Sequence, residues 1–178
     1  MGLTDAQLDE LFREHQRRLF GEAWQLTGDS ASAEDAVQET FLRALRSRDA
    51  YQERGRAGAW LARILVNVVR ERGRRAADYR WRIEPELEWA AGDGSDPRPS
   101  PERRAASSEA LGRALCALQQ ATPELREVLV LRHFEERSTA EVAGILGLPE
   151  ATVRTRLKRA RDLLLRLCEQ EDEMGKTR

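Results

Sequence analysis

Apolar residues recur along the chain at spacings of three and four, the period of an amphipathic α-helix, and this predicts an all-α protein. A first helix is predicted to begin at a capping box of Thr4 and Gln7 and to end at Gly28. A second helix is predicted to begin at Ser32 with Asp35. The apolar stripes of these two helices comprise Leu8, Leu11, Phe12, Leu19, Ala23 and Trp24, followed by Ala33, Ala36, Val37, Phe41, Ala44 and Leu45.

A third helix is predicted from about Ala59 to Arg75, and its outer face is basic. Arg63, Asn67, Arg70 and Arg74 follow one another at helical spacing and should form an exposed row, here called the basic ridge. A solvated helix usually mixes charge signs on its outer face, whereas this row carries only cations and one amide. The predicted apolar face consists of Trp60, Leu61, Ile64, Leu65, Val68 and Val69.

Residues 83–106 interrupt the helical pattern with four prolines and several acidic residues, which predicts a flexible, acidic linker. The chain therefore divides into a first domain (1–82), a second domain (107–170) and a frayed tail (171–178). Trp81 and Trp89 flank the linker or lie in it, and they could dock on their own domain or on a partner.

The second domain contains the anatomy of a helix-turn-helix. An apolar helix is expected around residues 110–118, and Thr122 with Pro123 should open the next one. Ser138 and Glu141 form a second capping box, and the short helix after them should turn at Gly147. The corner is closed by Leu148, and Pro149 allows the next helix to start.

The helix after this turn should present a cationic face to DNA. Inward positions at helical spacing are Val153, Leu157, Ala160 and Leu164. Five cations occur within residues 154–161, which is unusual for a hairpin that only packs. In a helix-turn-helix the second helix enters the major groove, where arginine and threonine can contact base edges and lateral arginines can contact phosphates. The predicted recognition face comprises Thr152, Arg154, Thr155, Lys158 and Arg159, with Arg156 and Arg161 at its sides.

The charge distribution supports a nucleic-acid partner. The net charge is only −1, but residues 51–82 carry +6 and residues 151–168 carry +5. Such basic blocks favour a phosphate backbone through charge neutralisation and counterion release.

Other function classes find little support in the sequence. Cys116 and Cys168 lie far apart, His15 and His133 are isolated, and so neither a metal site nor a cofactor is expected. An enzyme built on Glu135 would lack the histidine, cysteine or glycine-rich loop that acid/base chemistry usually recruits. No secretory leader or run of about 18 apolar residues occurs, so a cytoplasmic protein without membrane insertion is expected.

Three stretches in order resemble the extracytoplasmic-function (ECF) group of RNA polymerase sigma factors, of the sigma-70 family. SAEDAVQETFLRAL (32–45) is similar to the family's polymerase-binding segment, and AWLARILVNVVRER (59–72) is similar to its promoter −10 helix. The segment 123–161 is similar to the −35 domain almost throughout, although Thr122 stands where leucine is common. Ala62 also departs from the family, which commonly has Tyr or Phe there, and Leu65 stands where Ala is common.

The resemblance implies specific roles. The recognition face would read the −35 element, and the basic ridge would receive the unwound non-template strand. The loop from Tyr51 to Gly58 would capture a flipped −10 base, with Arg54 and Arg56 as its cationic candidates. The family also implies core RNA polymerase (its β′ clamp coiled coil and β flap), promoter DNA and an anti-sigma factor as partners. The coiled coil would contact Asp35, Gln38, Glu39, Phe41 and Arg43.

The main alternative is a stand-alone helix-turn-helix regulator. Such regulators usually dimerise to match paired DNA half-sites. No dimerisation helix is evident in this sequence, and the basic ridge would then have no role.

Overall fold

The computed structural model describes residues 3–51, 57–80, 119–133 and 137–176, and these form helices without a strand. The predicted linker with Trp81 and Trp89, the expected helix at 110–118, and Cys116, Glu135, Arg54 and Arg56 lie outside the described residues. The helices are α1 (Asp5–Thr27), α2 (Ser30–Arg46), α3 (Ala57–Arg80), α4 (Pro123–His133), α5 (Thr139–Leu146) and α6 (Glu150–Lys176), with a 3-10 turn at Arg48–Ala50.

Helix α1 begins and ends as its sequence predicts. Thr4 and Gln7 form the capping box, which satisfies two amide groups that a helix start leaves without partners. Gly28 ends the helix with a φ of 91°, a left-handed conformation that side chains rarely adopt, and its amide donates to the carbonyl of Trp24.

Helix α2 corrects two predictions. Its cap is Asp29 rather than Ser32, because the Asp29 carboxylate accepts the Ser32 amide at 2.7 Å and the helix already begins at Ser30. Leu45, predicted to be buried, is 43% exposed. The remaining small residues of the stripe are buried as predicted.

Helix α3 is longer than predicted and buries two faces. Leu61, Leu65 and Val68 are almost fully buried in the core of the first domain, which α1 and α2 complete. Ala62 and Val66 are also buried, in a separate apolar cluster with residues of the second domain. The sequence pattern predicted only the first of these faces.

The helix-turn-helix has the predicted local structure. Helix α4 starts at Pro123, and Ser138 with Glu141 forms the capping box of α5. Gly147 ends α5 with a φ of 66°, and half-buried Leu148 packs on the core of this domain. Helix α6 continues to Lys176, so residues 171–176 of the predicted tail belong to this helix.

The two domains pack against each other, which the sequence did not predict. Helix α1 contacts α4, and α3 contacts α5. In the described part of the chain, no helix is both long enough and apolar enough to cross a lipid bilayer.

Candidate nucleic-acid interface

The geometry of α6 separates an inward face from an outward face. Val153, Leu157 and Ala160 are buried against α4 and α5, and half-buried Leu164 continues the same row. Burial of each larger side chain stabilises the domain by about 1.5–3 kcal/mol, which fixes the rotation of α6 about its axis. The residues predicted for the recognition face are therefore held away from the core.

The recognition face is open to solvent. Arg154, Thr155, Lys158 and Arg159 are exposed, as is Arg161 at the side, whereas Thr152 and Arg156 are half-buried. Arg154 donates to the Glu150 carboxylate one turn earlier at 2.7 Å, with both side chains largely in water. Such an exposed pair contributes about 0.3–0.5 kcal/mol, so a DNA base could displace it at little cost.

The Thr155 hydroxyl donates to the carbonyl of Ala151 at 2.9 Å. The hydroxyl oxygen retains its acceptor capacity, and the exposed methyl group can contact a thymine methyl. Thr155 can therefore contribute to base recognition without breaking its intrahelical bond.

The basic ridge on α3 is only partly open. Asn67 and Arg74 are exposed as predicted. Arg63 is exposed as well, but its guanidinium donates to the carbonyl of Gly144 in the second domain at 2.7 Å. Arg70 is half-buried and makes two hydrogen bonds with Glu127, so the prediction of an entirely exposed row is wrong.

The Arg70–Glu127 pair has bidentate geometry. The Nε and NH2 groups of Arg70 donate to the two carboxylate oxygens of Glu127 at 2.7 and 2.6 Å. These bonds raise the pKa of Arg70 above its ordinary value, against the opposing effect of burial. A guanidinium binds phosphate and carboxylate in the same fork geometry, so Glu127 occupies the position that a DNA phosphate could take.

The predicted base-capture loop is described only at its ends. Tyr51 is half-buried and packs on Trp60, with ring centroids 4.9 Å apart at a tilt of 51°. This contact joins the start of the loop to the beginning of α3.

The predicted polymerase-binding residues lie on and beside α2. The Arg43 guanidinium bridges Glu39 and Glu71 at 2.7 Å each, and its hydrogen bonds hold the pKa of both carboxyl groups below their usual values. Gln38 is exposed, and exposed Asp35 accepts from Arg72 at 3.2 Å.

Phe41 lies mainly in the core of the first domain. Its ring is 4.0 Å from that of Phe12, centroid to centroid. The apolar side chains that α2 does expose are Leu42 and Leu45, at 48% and 43%. The sequence analysis did not identify either side chain as a surface residue. For Leu42 a signal was present, because the helical period places this position outside the buried stripe.

A buried ion pair between the domains was also missed. Arg137 of the second domain donates to Glu22 of α1 at 2.7 Å, and the two side chains are 6% and 0% exposed. Burial raises the pKa of Glu22 and outweighs the opposing effect of the Arg137 charge. No local sequence signal could have paired two residues that lie so far apart in the chain.

Within the ranges that the structure describes, no three His, Cys, Asp or Glu side chains lie close enough together to hold a metal ion. The features of the described surface that suit DNA are its two cationic faces, one on α6 and one on α3.

Family models match both domains. Residues 11–79 match sigma-70 region 2, and residues 111–164 match sigma-70 region 4. A stand-alone helix-turn-helix regulator is not favoured by these findings, because the first domain also matches a sigma-factor region.

Relatives and solved structures agree with these matches. The chain is 36% identical over 179 residues to the ECF RNA polymerase sigma factor SigL of Mycobacterium tuberculosis, covering 97% of this chain and 93% of SigL. It is also 36% identical to the ECF sigma factor SigE of Mycolicibacterium smegmatis, over 88% of this chain, but spans only 59% of SigE.

Two solved structures share the fold. The sigma factor RpoE of Bartonella quintana, solved with the anti-sigma factor NepR, superposes with a TM-score of 0.73 at 23% identity, covering 90% of this chain and 97% of RpoE. CnrH, solved with the cytosolic domain of CnrY, gives a TM-score of 0.65 at 25% identity, covering 94% of this chain and 90% of CnrH. With SigL matched along nearly its whole length, the chain belongs to the extracytoplasmic-function sigma factors of the sigma-70 family, initiation factors that direct RNA polymerase to promoters.

Proposed function

We propose that the two cationic faces divide promoter recognition between them. The recognition face of α6 binds the −35 element as a duplex, and the basic ridge of α3 receives the non-template strand of the melted −10 element. The observation that carries this proposal is the orientation of α6, whose apolar row is buried while Arg154, Lys158 and Arg159 face solvent.

The two faces suit different forms of DNA. A helix with arginine and threonine near its N-terminus fits the major groove of a duplex, where arginine can bind guanine with two hydrogen bonds. A row of guanidinium groups around an amide instead suits a single strand, whose backbone it neutralises while Asn67 can bond to an exposed base edge. The loop between Tyr51 and Gly58, with Arg54 and Arg56, would hold a flipped base beside this row.

The polymerase is expected to dock on α2. Asp35, Gln38 and Glu39 offer acidic and polar groups, and Arg43 links them to α3. The exposed Leu42 and Leu45 add apolar area next to them. This combination suits the β′ coiled coil of the core enzyme, and the second domain would contact the β flap.

In this proposal the protein acts in the cytoplasm and performs no catalysis itself, because the polymerase carries out phosphodiester synthesis. Regulation by an anti-sigma factor is part of the proposal, because RpoE was solved with such a partner. Recovery of polymerase subunits alone in a pull-down from the native cell would argue against an anti-sigma factor.

The test is run-off transcription with core polymerase on genomic fragments, including the region upstream of the gene itself. The protein should produce new discrete transcripts. Specific duplex binding without any transcript would instead support the stand-alone regulator.

Variants then separate the two faces. Arg154→Ala should weaken duplex binding, whereas Asn67→Ala should leave it intact and reduce strand opening, measured by the permanganate reactivity of unpaired thymines. Gly73→Ala is the matched control on α3, because a Cβ there would meet nothing within 4 Å apart from its chain neighbours and the nearby backbone of its own helix. Normal open complexes with Asn67→Ala would overturn the assignment of the basic ridge.

A further inference from the structure

We propose that Arg18 of α1 is a positioning residue for the first turn of α3, the turn that joins the base-capture loop to the basic ridge. The proposal rests on the function proposed above for α3. It goes beyond that function because Arg18 lies on another helix and belongs to neither cationic face. Its effect on DNA would be exerted through the backbone of α3.

The first support is the close approach of Arg18 to the backbone of Gly58, in the first turn of α3. A Cβ atom built on Gly58 would lie 2.5 Å from Nη2 of Arg18 and 3.2 Å from its Cζ. A real Cβ atom essentially never approaches another heavy atom closer than 3.0 Å, so the guanidinium occupies space that any side chain at position 58 would need. Glycine therefore allows the guanidinium to rest directly on the backbone of this turn.

The second support is the set of groups that this turn carries. Trp60 lies in the same turn and packs on Tyr51, the first residue of the loop. Arg63, the first cation of the basic ridge, follows Gly58 about 7.5 Å further along the helix axis. The direction in which α3 starts therefore determines where the end of the loop and the beginning of the ridge lie. A side chain that rests on Gly58 can thus position DNA-contacting groups without touching DNA.

The third support is the group of charges that limits where the Arg18 side chain can go. Its Nε lies 3.9 Å from Oε1 of Glu22, a carboxylate that is fully buried. The same oxygen accepts a hydrogen bond from Arg137 at 2.7 Å. Burial lowers the pKa of Arg18, as does the charge of Arg137, while Glu22 opposes both. Attraction to Glu22 and repulsion from Arg137 together keep the half-buried guanidinium against Gly58.

Charge neutralisation of Glu22 does not by itself explain this geometry. Arg137 already binds Glu22 directly, and a lysine at position 18 would supply the same charge as arginine. Only arginine offers a flat guanidinium that can lie on a backbone while its Nε faces a carboxylate. The substitution Arg18→Lys therefore separates a positioning role from a role in charge neutralisation.

The experiment is a double-mutant cycle in the full-length protein, assayed with core polymerase on a promoter identified by run-off transcription. Arg18→Ala removes the guanidinium, and Gly58→Ala displaces it, because the end of a flexible side chain moves more easily than a helix backbone. The matched controls are Arg17→Ala, at an exposed position of α1, and Gly73→Ala, at a position of α3 where a Cβ has free space. Permanganate reactivity of unpaired thymines measures strand opening, and fluorescence anisotropy measures −35 duplex binding.

Arg18→Ala should reduce strand opening about fivefold, a typical effect for a residue that influences binding without touching the ligand. Gly58→Ala should reduce opening to a similar extent. The double variant should lose no more than either single variant, because both substitutions remove the same contact. The controls, separately and combined, should behave as the wild type. Binding of the −35 duplex should be unchanged in every variant, because none of them alters the recognition face.

Arg18→Lys should keep the free energy of unfolding of the wild type, measured by urea titration, because a cation remains beside Glu22. Its strand opening should nevertheless be as poor as that of Arg18→Ala, because the flat group that rests on Gly58 is lost. Opening restored by lysine would assign Arg18 to charge neutralisation alone and would overturn the proposal.

Two further results would overturn the proposal: normal strand opening with Arg18→Ala, or losses that add in the double variant. Asn67→Ala, measured in the same assay, distinguishes these results from a failure of the function proposed for α3. Reduced opening with Asn67→Ala but not with the Arg18 variants would leave the ridge function standing and remove the positioning role. Normal opening with Asn67→Ala, beside a shared loss with Arg18→Ala and Gly58→Ala, would refute the role of the ridge while supporting Arg18 as a positioning residue.

Discussion

The two cationic faces differ in how the fold treats them. The recognition face of α6 projects into solvent, and its Arg154 forms an exposed ion pair with Glu150 on the same helix. The basic ridge of α3 is partly engaged by the other domain, with Arg70 bound to a buried carboxylate. The same kind of residue is thus available for immediate binding on one surface and already bonded on the other. In this chain, sequence pattern defines a face, but domain packing decides whether that face is accessible.

The largest effect is expected from breaking the buried ion pair between Glu22 and Arg137, which joins the two domains. Arg137→Ala leaves the buried Glu22 carboxylate with, among the described residues, only the more distant Arg18, 3.9 Å away. Loss of one partner of a buried pair costs up to about 3–5 kcal/mol. The free energy of unfolding from urea titration measures this loss. The affinity of the folded variant for the −35 duplex should be unchanged, because Arg137 lies outside the recognition face.

The loss should also depend on pH. Burial already raises the pKa of Glu22, and removal of the arginine charge raises it further. A carboxyl group with a raised pKa in the folded state binds more protons there than when unfolded, so stability rises as pH falls. Arg137→Ala should therefore be less destabilising at pH 5 than at pH 7.5. An equal loss at both values would contradict a charged Glu22 as the cause.

A smaller effect, on DNA affinity, is expected from a change in the recognition face of α6. Arg154→Ala should weaken −35 duplex binding by about 1–3 kcal/mol if the guanidinium contacts a base, and should relax specificity at that position. Competition with single-base variants of the mapped promoter measures this. Arg166→Ala is the control, because Arg166 is exposed on the same helix about 18 Å further along. Equal losses from the two variants would reduce the effect to general electrostatics.

Arg161→Ala should act through phosphate alone. This residue is exposed at the side of the recognition face, where contact with the backbone positions the helix without reading the sequence. Affinity should fall by a similar factor for every duplex, and the slope of log affinity against log salt concentration should decrease by about 1. A loss confined to one DNA sequence would assign Arg161 to base recognition instead.

The smallest expected effect concerns His15, which is half-buried in the first domain. Burial lowers its pKa, as do the charges of Arg18 and Arg137, while Glu14 opposes them. Because the neutral form is favoured in the folded state, the contribution of His15 to stability is present above pH 6.5 and is lost as pH falls below that value. Relative to the wild type, His15→Gln should therefore gain slightly in stability as pH falls from 6.5 to 5, measured as the difference between the two proteins in thermal unfolding. A difference that moves in favour of the wild type over this range would contradict a lowered pKa.

The helix-turn-helix was predictable because its signals are local. Ser138 and Glu141 form their capping box across three residues, Gly147 supplies the left-handed turn, and Pro149 sits just before the next helix. The orientation of α6 then follows from its apolar period. The exposure of Arg154, Thr155, Lys158 and Arg159 agrees with that period, whereas Thr152, predicted on the same face, is half-buried.

Other features escaped prediction for identifiable reasons. The start of α2 was predicted at Ser32 because serine is a good N-cap, but Asp29, three residues earlier, is an equally good one and is the cap in the structure. The apolar period identified the face that holds Leu45, but not the length over which neighbouring helices cover that face. The second buried face of α3, at Ala62 and Val66, depends on a partner from the other end of the chain. Periodicity cannot supply such a partner.

Through Arg126, the contact between the two domains stabilises the C-terminal end of α1. Its guanidinium donates to the carbonyl of Leu26, in the last turn of α1, while also binding those of Gln119 and Ala121. Last-turn carbonyls have no partner within their own helix, so this side chain from another domain serves as an external cap. Separation of the domains would return these carbonyls to water and allow the end of α1 to fray. Trp24 lies in the same turn of α1, so in a variant that keeps it as the sole tryptophan its fluorescence would provide an optical signal of this fraying that needs no added label.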